Sequence, residues 1–321
     1  MTLTLETMSL IAVYSAMVVY TFAFIAFTVD LARRSAPAPV AVEASMSQSA
    51  ASSARTTLLE KLATDAPDDG TAKVSRAMRL AMGFTILGWV LHVVAVVLRG
   101  LAAGYAPWSN MYGFAITATA IIVGVFLLVQ FWQDLKFLGA YIVGFCLAFL
   151  GLATVNFYVA VAPQPPALQS AWLVIHVFVA ILGTAFFALG GGLSVVQLLQ
   201  SRREARGGEG MKFLATLPNA EKLENLAYRL ILVGFVFWTF TLIAGAVWAE
   251  RAWGRYWGWD TKEVWTFIIW TIFAGYIHAR ATRGWRGSRS AWLAIIGFAA
   301  VMFNFTVVNL FFKGLHAYSG L

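Results

Sequence analysis

The chain of 321 residues is poor in what an aqueous enzyme or a metal cluster needs. Its single cysteine, Cys146, sits inside an apolar run. That excludes an internal disulfide and a cysteine-based metal cluster. Only 12% of the residues are charged, about half the share usual in a soluble domain. Gly190-Gly191-Gly192 lacks a following Lys-Ser or Lys-Thr, so no phosphate loop is present and ATP-driven export by this chain alone is disfavoured. The first apolar run has no basic segment before it, so it reads as an uncleaved first span and not as a signal peptide. The net charge of +8 does not call for nucleic acid, because most Lys and Arg fall in short loops, as membrane orientation requires.

What is plentiful is apolar. Hydrophobic residues make up 60% of the chain and the mean hydropathy is +0.75. Long apolar runs recur from end to end, which predicts an all-α, polytopic membrane protein with about eight transmembrane helices. Residues 1–34 hold the first helix and residues 35–77 read as a flexible cytoplasmic linker rich in Ala, Ser and Pro. A short helical patch at 57–62 is possible within it. Residues 78–321 form a seven-helix core with a Trp-rich loop at 249–265. Span four is expected over about 137–161, span seven over a short 265–278, and span eight over 291–312. The triple glycine predicts a kink or a close helix contact in span five. Eighteen of the 23 Lys and Arg lie on one side of an eight-span layout, which makes that side cytoplasmic. Both termini and the Trp-rich loop then face the extracytoplasmic side.

Six of the 13 Trp fall between Trp248 and Trp270. Trp offers a wide rigid apolar face and an N–H donor. Gly254 and Gly258 expose backbone to close approach. Arg255, Asp260, Lys262 and Glu263 add charge that can meet a ligand's polar edge. A large planar molecule with anionic groups suits such a surface, and haem with its two propionates is one. An aromatic belt at the membrane interface accounts for the composition equally well.

The four histidines are His92, His176, His278 and His316. In a membrane chain so short of ionisable groups each is a functional candidate. The layout places His176, one turn into span five, and His316, just past span eight, at the depth of the Trp-rich loop. Two neutral imidazoles on opposite faces of a porphyrin give a six-coordinate iron. His278 lies near the inner end of span seven beside Arg280, Arg283, Arg286 and Arg289, where a ligand and propionate-binding cations meet. His92, in span two, reads as a packing residue with a backbone bond. Asp260 and Glu263, without a hydrolytic nucleophile beside them, suit structural or propionate-side hydrogen bonding.

The segment Trp253-Gly254-x-x-Trp257-x-Trp259-Asp260-x-x-Glu263-x-Trp265 resembles the tryptophan-rich "WWD" segment of haem-handling proteins in cytochrome c maturation, with every fixed position filled. The layout from span two onward is similar to the CcsA (ResC) family of the system II pathway. The segment Pro107-Trp108-Ser109-Asn110-Met111-Tyr112 also matches, but Gly113 stands where the family usually has Glu, so any role of that carboxylate does not carry over. The resemblance implies that haem b, as transported substrate, passes from the cytoplasmic side past His278. It would then be held by His176 and His316 at the outer loop, with Trp253, Gly254, Trp257, Trp259, Asp260, Glu263 and Trp265. There it is presented to the C-x-x-C-H segment of apocytochrome c for thioether attachment, within a haem-lyase or synthase complex. It also implies a CcsB (ResB) partner, an inner haem shared between His278 and that partner, and thiol-reducing proteins. The membrane is a bacterial cytoplasmic membrane or a thylakoid. A system I CcmC-like delivery protein, a secondary transporter and a cytochrome b-like subunit stand as alternatives.

Orientation is directly testable. A reporter active only outside the cytoplasm should be active when fused after Tyr256, and one active only inside should be active after Gly207. The reverse pattern sinks the eight-span layout.

Overall fold

Along the first helix, α1 (Leu5–Ser35), Val13, Ala16, Tyr20, Ala23 and Phe27 are buried, while Ile11, Tyr14, Val18, Phe22 and Ile25 are exposed. The first set recurs every three or four residues and so lines one stripe. A helix apolar on both faces belongs in lipid, with the stripe packed inward. The computed structural model that shows this describes residues 4–35, 75–282 and 284–316. Most of the expected linker, including the patch at 57–62, lies outside the described residues.

Seven further long helices follow: α2 (Arg76–Ala103), α3 (Met111–Val129), α4 (Gly139–Asn156), α5 (Ala171–Ala205), α6 (Ala220–Trp253), α7 (Thr261–Thr282) and α8 (Ser288–Phe303). The described residues contain no strand. Seven of the eight long helices have the length and apolarity to cross a membrane. The exception is α7, which is 22 residues long, roughly 33 Å at 1.5 Å per residue. Its ends, not its length, keep it below the threshold, since Lys262, Glu263, His278 and Arg280 lie on it. It still traverses the bundle. Near its start the Thr266 carbonyl accepts from the indole of Trp238 midway along α6, and near its end Arg280 donates to the carbonyl of Glu224 in the first turns of α6.

Two expected boundaries shift for visible reasons. Span four stops at Asn156 and not at 161. The next residues leave the helix to meet polar partners: Val161 N–H donates to Glu6 at 3.0 Å, and the Val159 carbonyl accepts from Arg99. Span eight does not run as one regular helix to 312. After Phe303 it widens into a π-helical turn, Asn304–Val308, and ends with a single turn, Asn309–Phe311. The triple glycine does not break α5, which is continuous from Ala171 to Ala205. It is a contact seam: side chains at 190 and 192 would collide with Ile231 and Tyr141, and one at 191 would press tightly on Phe298, each on a different helix.

The end of the bundle away from the Trp-rich loop is locked by a buried carboxylate. Glu224 accepts from Gly287 N–H at 2.9 Å and from the Ser290 hydroxyl at 2.9 Å, and pairs with Arg280 at 3.4 Å. Arg280 also lies 4.4 Å over the Tyr228 ring. Both side chains of the pair are under a tenth exposed (8% and 6%), so removing one partner strands a buried charge. Glu224→Ala should therefore destabilise the folded protein by about 3–5 kcal/mol. A melt in detergent that shifts no further than that of a surface variant such as Glu209→Ala would rule out this anchoring role.

Candidate functional site

The site grows from one face of α6. Thr241, Gly245 and Trp248 recur at spacings of four and three and so share a stripe. His176 of α5 lies against that stripe. Its ring stacks on Trp248, with centroids 5.9 Å apart and planes 15° off parallel. Gly245 makes room, because a Cβ there would come within 2.7 Å of the imidazole. The Thr241 carbonyl lies 3.0 Å from His176 Nδ1. A carbonyl only accepts, so Nδ1 carries the proton and Nε2 keeps its lone pair.

His316 reaches the same indole from the end of the chain. Its ring meets Trp248 edge-on at 5.4 Å and Trp253 at 4.8 Å. Its Nδ1 lies 2.8 Å from Asp260 Oδ2. Asp260 also accepts from Leu315 N–H at 3.0 Å and from Lys262 N–H at 3.3 Å. The His316 hydrogen bond holds the Asp260 carboxyl down to about 2, so it is ionised throughout the physiological range. Among the described residues neither Nε2 has a hydrogen-bond partner. Nδ1 tied to a carbonyl or carboxylate, with Nε2 left free, is how metal-ligating histidines are oriented.

The Trp-rich loop is shaped by its other carboxylate. Glu263 Oε2 accepts from Gly258 N–H at 2.8 Å and Asp260 N–H at 3.1 Å, and Oε1 meets Arg255 at 3.3 Å. With Asp260 as the residue before α7, Glu263 reaches back to the cap N–H while Asp260 accepts from Lys262 N–H, and together they cap the start of the helix. Gly254 ends α6 in the left-handed region, φ +70°, with its N–H returned to Glu250 at 2.7 Å. Its conformational freedom serves the helix end. Trp259 is held at φ +60°, which is uncommon for a residue with a side chain.

His176 and His316 line one cleft, together with Trp238, Trp248, Trp257 and Glu263. Trp108, Ser109, Asn110 and Met111 line its far side, and Lys262, Asn304 and Asn309 a polar corner. The cleft and its open mouth together span about 1540 Å³ of non-atom space. Its walls are chiefly apolar and aromatic.

Other residues singled out in the sequence lie elsewhere. Trp253 backs His316 without lining the cleft, Trp265 packs on Phe303 at 4.4 Å, and Trp259 is 76% exposed. Asp260 acts through His316. His278 is exposed on α7, 16 residues past Lys262 and so roughly 24 Å along the helix. It does not meet this cleft. Arg280 beside it is committed to Glu224, while Arg286 and Arg289 are exposed. His92 is fully buried, 3.4 Å from the Tyr20 hydroxyl, and does not line the cleft. Sequence reasoning missed Thr241, Gly245, Asn304 and Asn309. The four-and-three spacing on α6 was the available signal for the first two, and nothing local marks the last two.

The Asp260 carboxylate gives a prediction with a definite sign. Its folded pKa lies below the unfolded value, so its stabilisation is present above roughly pH 4 and is lost as pH falls through about 2. Asp260→Asn should lower stability by about 1.5–3 kcal/mol at neutral pH. The gap to wild type should close toward pH 2. Melts in detergent that differ equally at pH 7 and pH 2 would contradict this.

Residues 108–316 match the profile of a family described as Cytochrome C assembly protein. The chain is 34% identical over 266 residues to a cytochrome c biogenesis protein CcsA of Guillardia theta, covering 78% of this chain and 88% of that protein. It is 36% identical over 252 residues to a CcsA of Synechococcus sp. (strain CC9902), covering 71% and 83%. Among solved structures it is similar in fold to a cytochrome c haem lyase, CcmF, with TM-score 0.63 at 15% identity, over 95% of this chain and 47% of that one.

Proposed function

The chain belongs to the CcsA family of cytochrome c biogenesis proteins, and from that premise we propose how its outer cleft serves. The function is cytochrome c maturation through haem handling in a multi-pass membrane protein, and CcsA relatives favour system II over the CcmC-like alternative. Family membership also sets aside the transporter and cytochrome b-like readings.

In the proposed site His176 and His316 hold the haem iron through Nε2. The single observation that carries this is the pair of imidazoles around one indole, each anchored by Nδ1 and each with Nε2 unpartnered among the described residues. The donor set fits haem b: two imidazole nitrogens, aromatic walls and an open cleft. Trp248 and Trp257 flank the ring, and Glu263 with Gly254 and Gly258 keeps the loop in the shape that presents Asp260 to His316. Trp253, Trp259 and Trp265 act on the loop from outside the cleft. Thr241 and Asp260 fix the tautomers, which leaves the lone pairs where a metal needs them.

The haem-binding face lies on the extracytoplasmic side. Apocytochrome c brings two thiols and its own histidine in C-x-x-C-H, and that histidine displaces one imidazole as the thioethers form. The protein's contribution is orientation and proximity, because the reacting groups belong to the substrates. Thiol-reducing proteins keep the cysteines available. His278, exposed near the other end of α7, is suited to share an inner haem with a ligand from a CcsB-like partner, with Arg286 and Arg289 nearby. A bacterial cytoplasmic membrane is the setting we favour, with the thylakoid as the second.

Purified wild-type protein should carry haem with the optical signature of two axial histidines, and give it up to a C-x-x-C-H apocytochrome under reducing conditions. His176→Ala and His316→Ala should each lose that signature and retain less haem. Spectra unchanged in both variants would remove the iron from this cleft.

A further inference from the structure

We propose that Lys262, Asn304 and Asn309 form a carboxylate-binding corner of the cleft, which takes a propionate of the porphyrin. This deepens the haem-site reading and rests on it.

Lys262 turns its ammonium into the cleft. Nζ donates to the Asn304 carbonyl at 3.2 Å and to the carboxamide oxygen of Asn309. Asn309 Nδ2 is fixed in turn by the Phe305 carbonyl at 2.7 Å, so its oxygen is the atom facing the lysine. An ammonium has three donors, and these contacts use two. Both partners are neutral. The nearby carboxylates are occupied elsewhere among the described residues: Asp260 by His316, and Glu263 by Arg255 and two backbone N–H groups. Lys262 Nζ therefore keeps one N–H donor without a partner among the described residues, beside a largely apolar cleft.

Its position sharpens the point. Lys262 is the second residue of α7, a helix of 22 residues. A helix N-terminus favours anions and disfavours cations. There the Lys262 amine has only neutral hydrogen-bond partners at Nζ, and its remaining N–H is open to an acceptor from the cleft.

Asn304 is the independent observation. Its side chain lines the cleft and is only 6% exposed, yet its carboxamide makes no hydrogen bond with any described residue, and Oδ1 is fully enclosed. A buried amide left without partners is unfavourable. Asn304 opens the π-helical turn Asn304–Val308, and turns of that kind cluster at functional sites. A carboxylate in this corner accepts from Lys262 Nζ and from Asn304 Nδ2, the donor end of the amide, and leaves the enclosed Oδ1 as it is. Its distance from the imidazoles is set through one atom, since Asp260 Oδ2 binds both the Lys262 N–H and His316.

The test uses the full-length protein in detergent, stripped of haem and titrated with ferric protoporphyrin IX or its dimethyl ester, followed by the Soret band. Wild type should bind the free acid about tenfold or more tightly than the ester, the size expected of one charge-assisted hydrogen bond. Lys262→Met should abolish the preference while leaving ester affinity unchanged, which also shows that the variant folds. Asn304→Leu should reduce the preference. Equal wild-type affinity for acid and ester, or a preference that survives Lys262→Met, overturns the carboxylate corner and leaves the haem site standing. Wild type that binds neither porphyrin overturns both.

Discussion

The cleft end of the molecule depends on the Asp260 carboxylate. One oxygen holds the His316 imidazole and the Lys262 N–H, and the other holds the Leu315 N–H. These contacts join residues 56 positions apart and bring the tail past α8 back onto the start of α7. The distant histidine becomes part of the cleft because a carboxylate with spare lone pairs sits where the tail passes. Charge-assisted bonds are stronger than neutral ones, and several on one group reinforce its placement. Glu263 performs the preceding step: by accepting from Asp260's own N–H it sets the backbone from which the aspartate side chain projects. The acidic pair in the tryptophan-rich motif is a two-stage bracket for an imidazole. An acid–base pair would need a reacting group between the carboxylates, and here each is committed to backbone and neighbouring side chains.

Polar groups elsewhere in the bundle follow the same economy. At one end Glu6 gathers Arg99, the Tyr158 hydroxyl and the Val161 N–H, and at the other Glu224 gathers Arg280, Ser290 and Gly287. Each carboxylate is satisfied several times over, as burial demands. Between them the helices meet through apolar faces and small residues, and the outward faces stay apolar for lipid. These clusters supply the specificity of assembly that apolar contact against lipid does not, since lipid tails are as apolar as the helix faces.

Much of this was legible in the sequence, and the rest was not for physical reasons. The eight helices follow from apolar runs, because lipid leaves a chain few other solutions. The meeting of His176 and His316 followed from counting spans and assigning sides. The extent of α4 was misjudged because Val159 and Val161 read as more of an apolar span, while their backbone groups are claimed by Arg99 and Glu6, both remote in sequence. Asn304 and Asn309 were invisible for a similar reason. Their significance comes from a widened turn and from a lysine some forty residues away. Trp253, Trp259 and Trp265 were marked as ligand-facing by motif alone, yet the folded loop turns Trp259 outward and Trp265 onto Phe303. A motif fixes residue types, and the loop's hydrogen bonds decide which of them face the cleft.

The least apolar of the eight helices carries the most chemistry, and the link is energetic. Ionisable groups within a membrane helix are unfavourable unless paired or needed. α7 bears Lys262 and Glu263 in its first turn and His278 and Arg280 near its last, and so falls short of the apolarity that its neighbours reach. Its middle, around Ile269 and Phe273, is fully buried in the second half of the core. The packed middle makes α7 a rigid rod, and its ends are fixed by Asp260 with Asn309 on one side and by Glu224 on the other. The cleft and His278 are therefore held at a separation set by the helical rise. Helix bending alone changes that distance little.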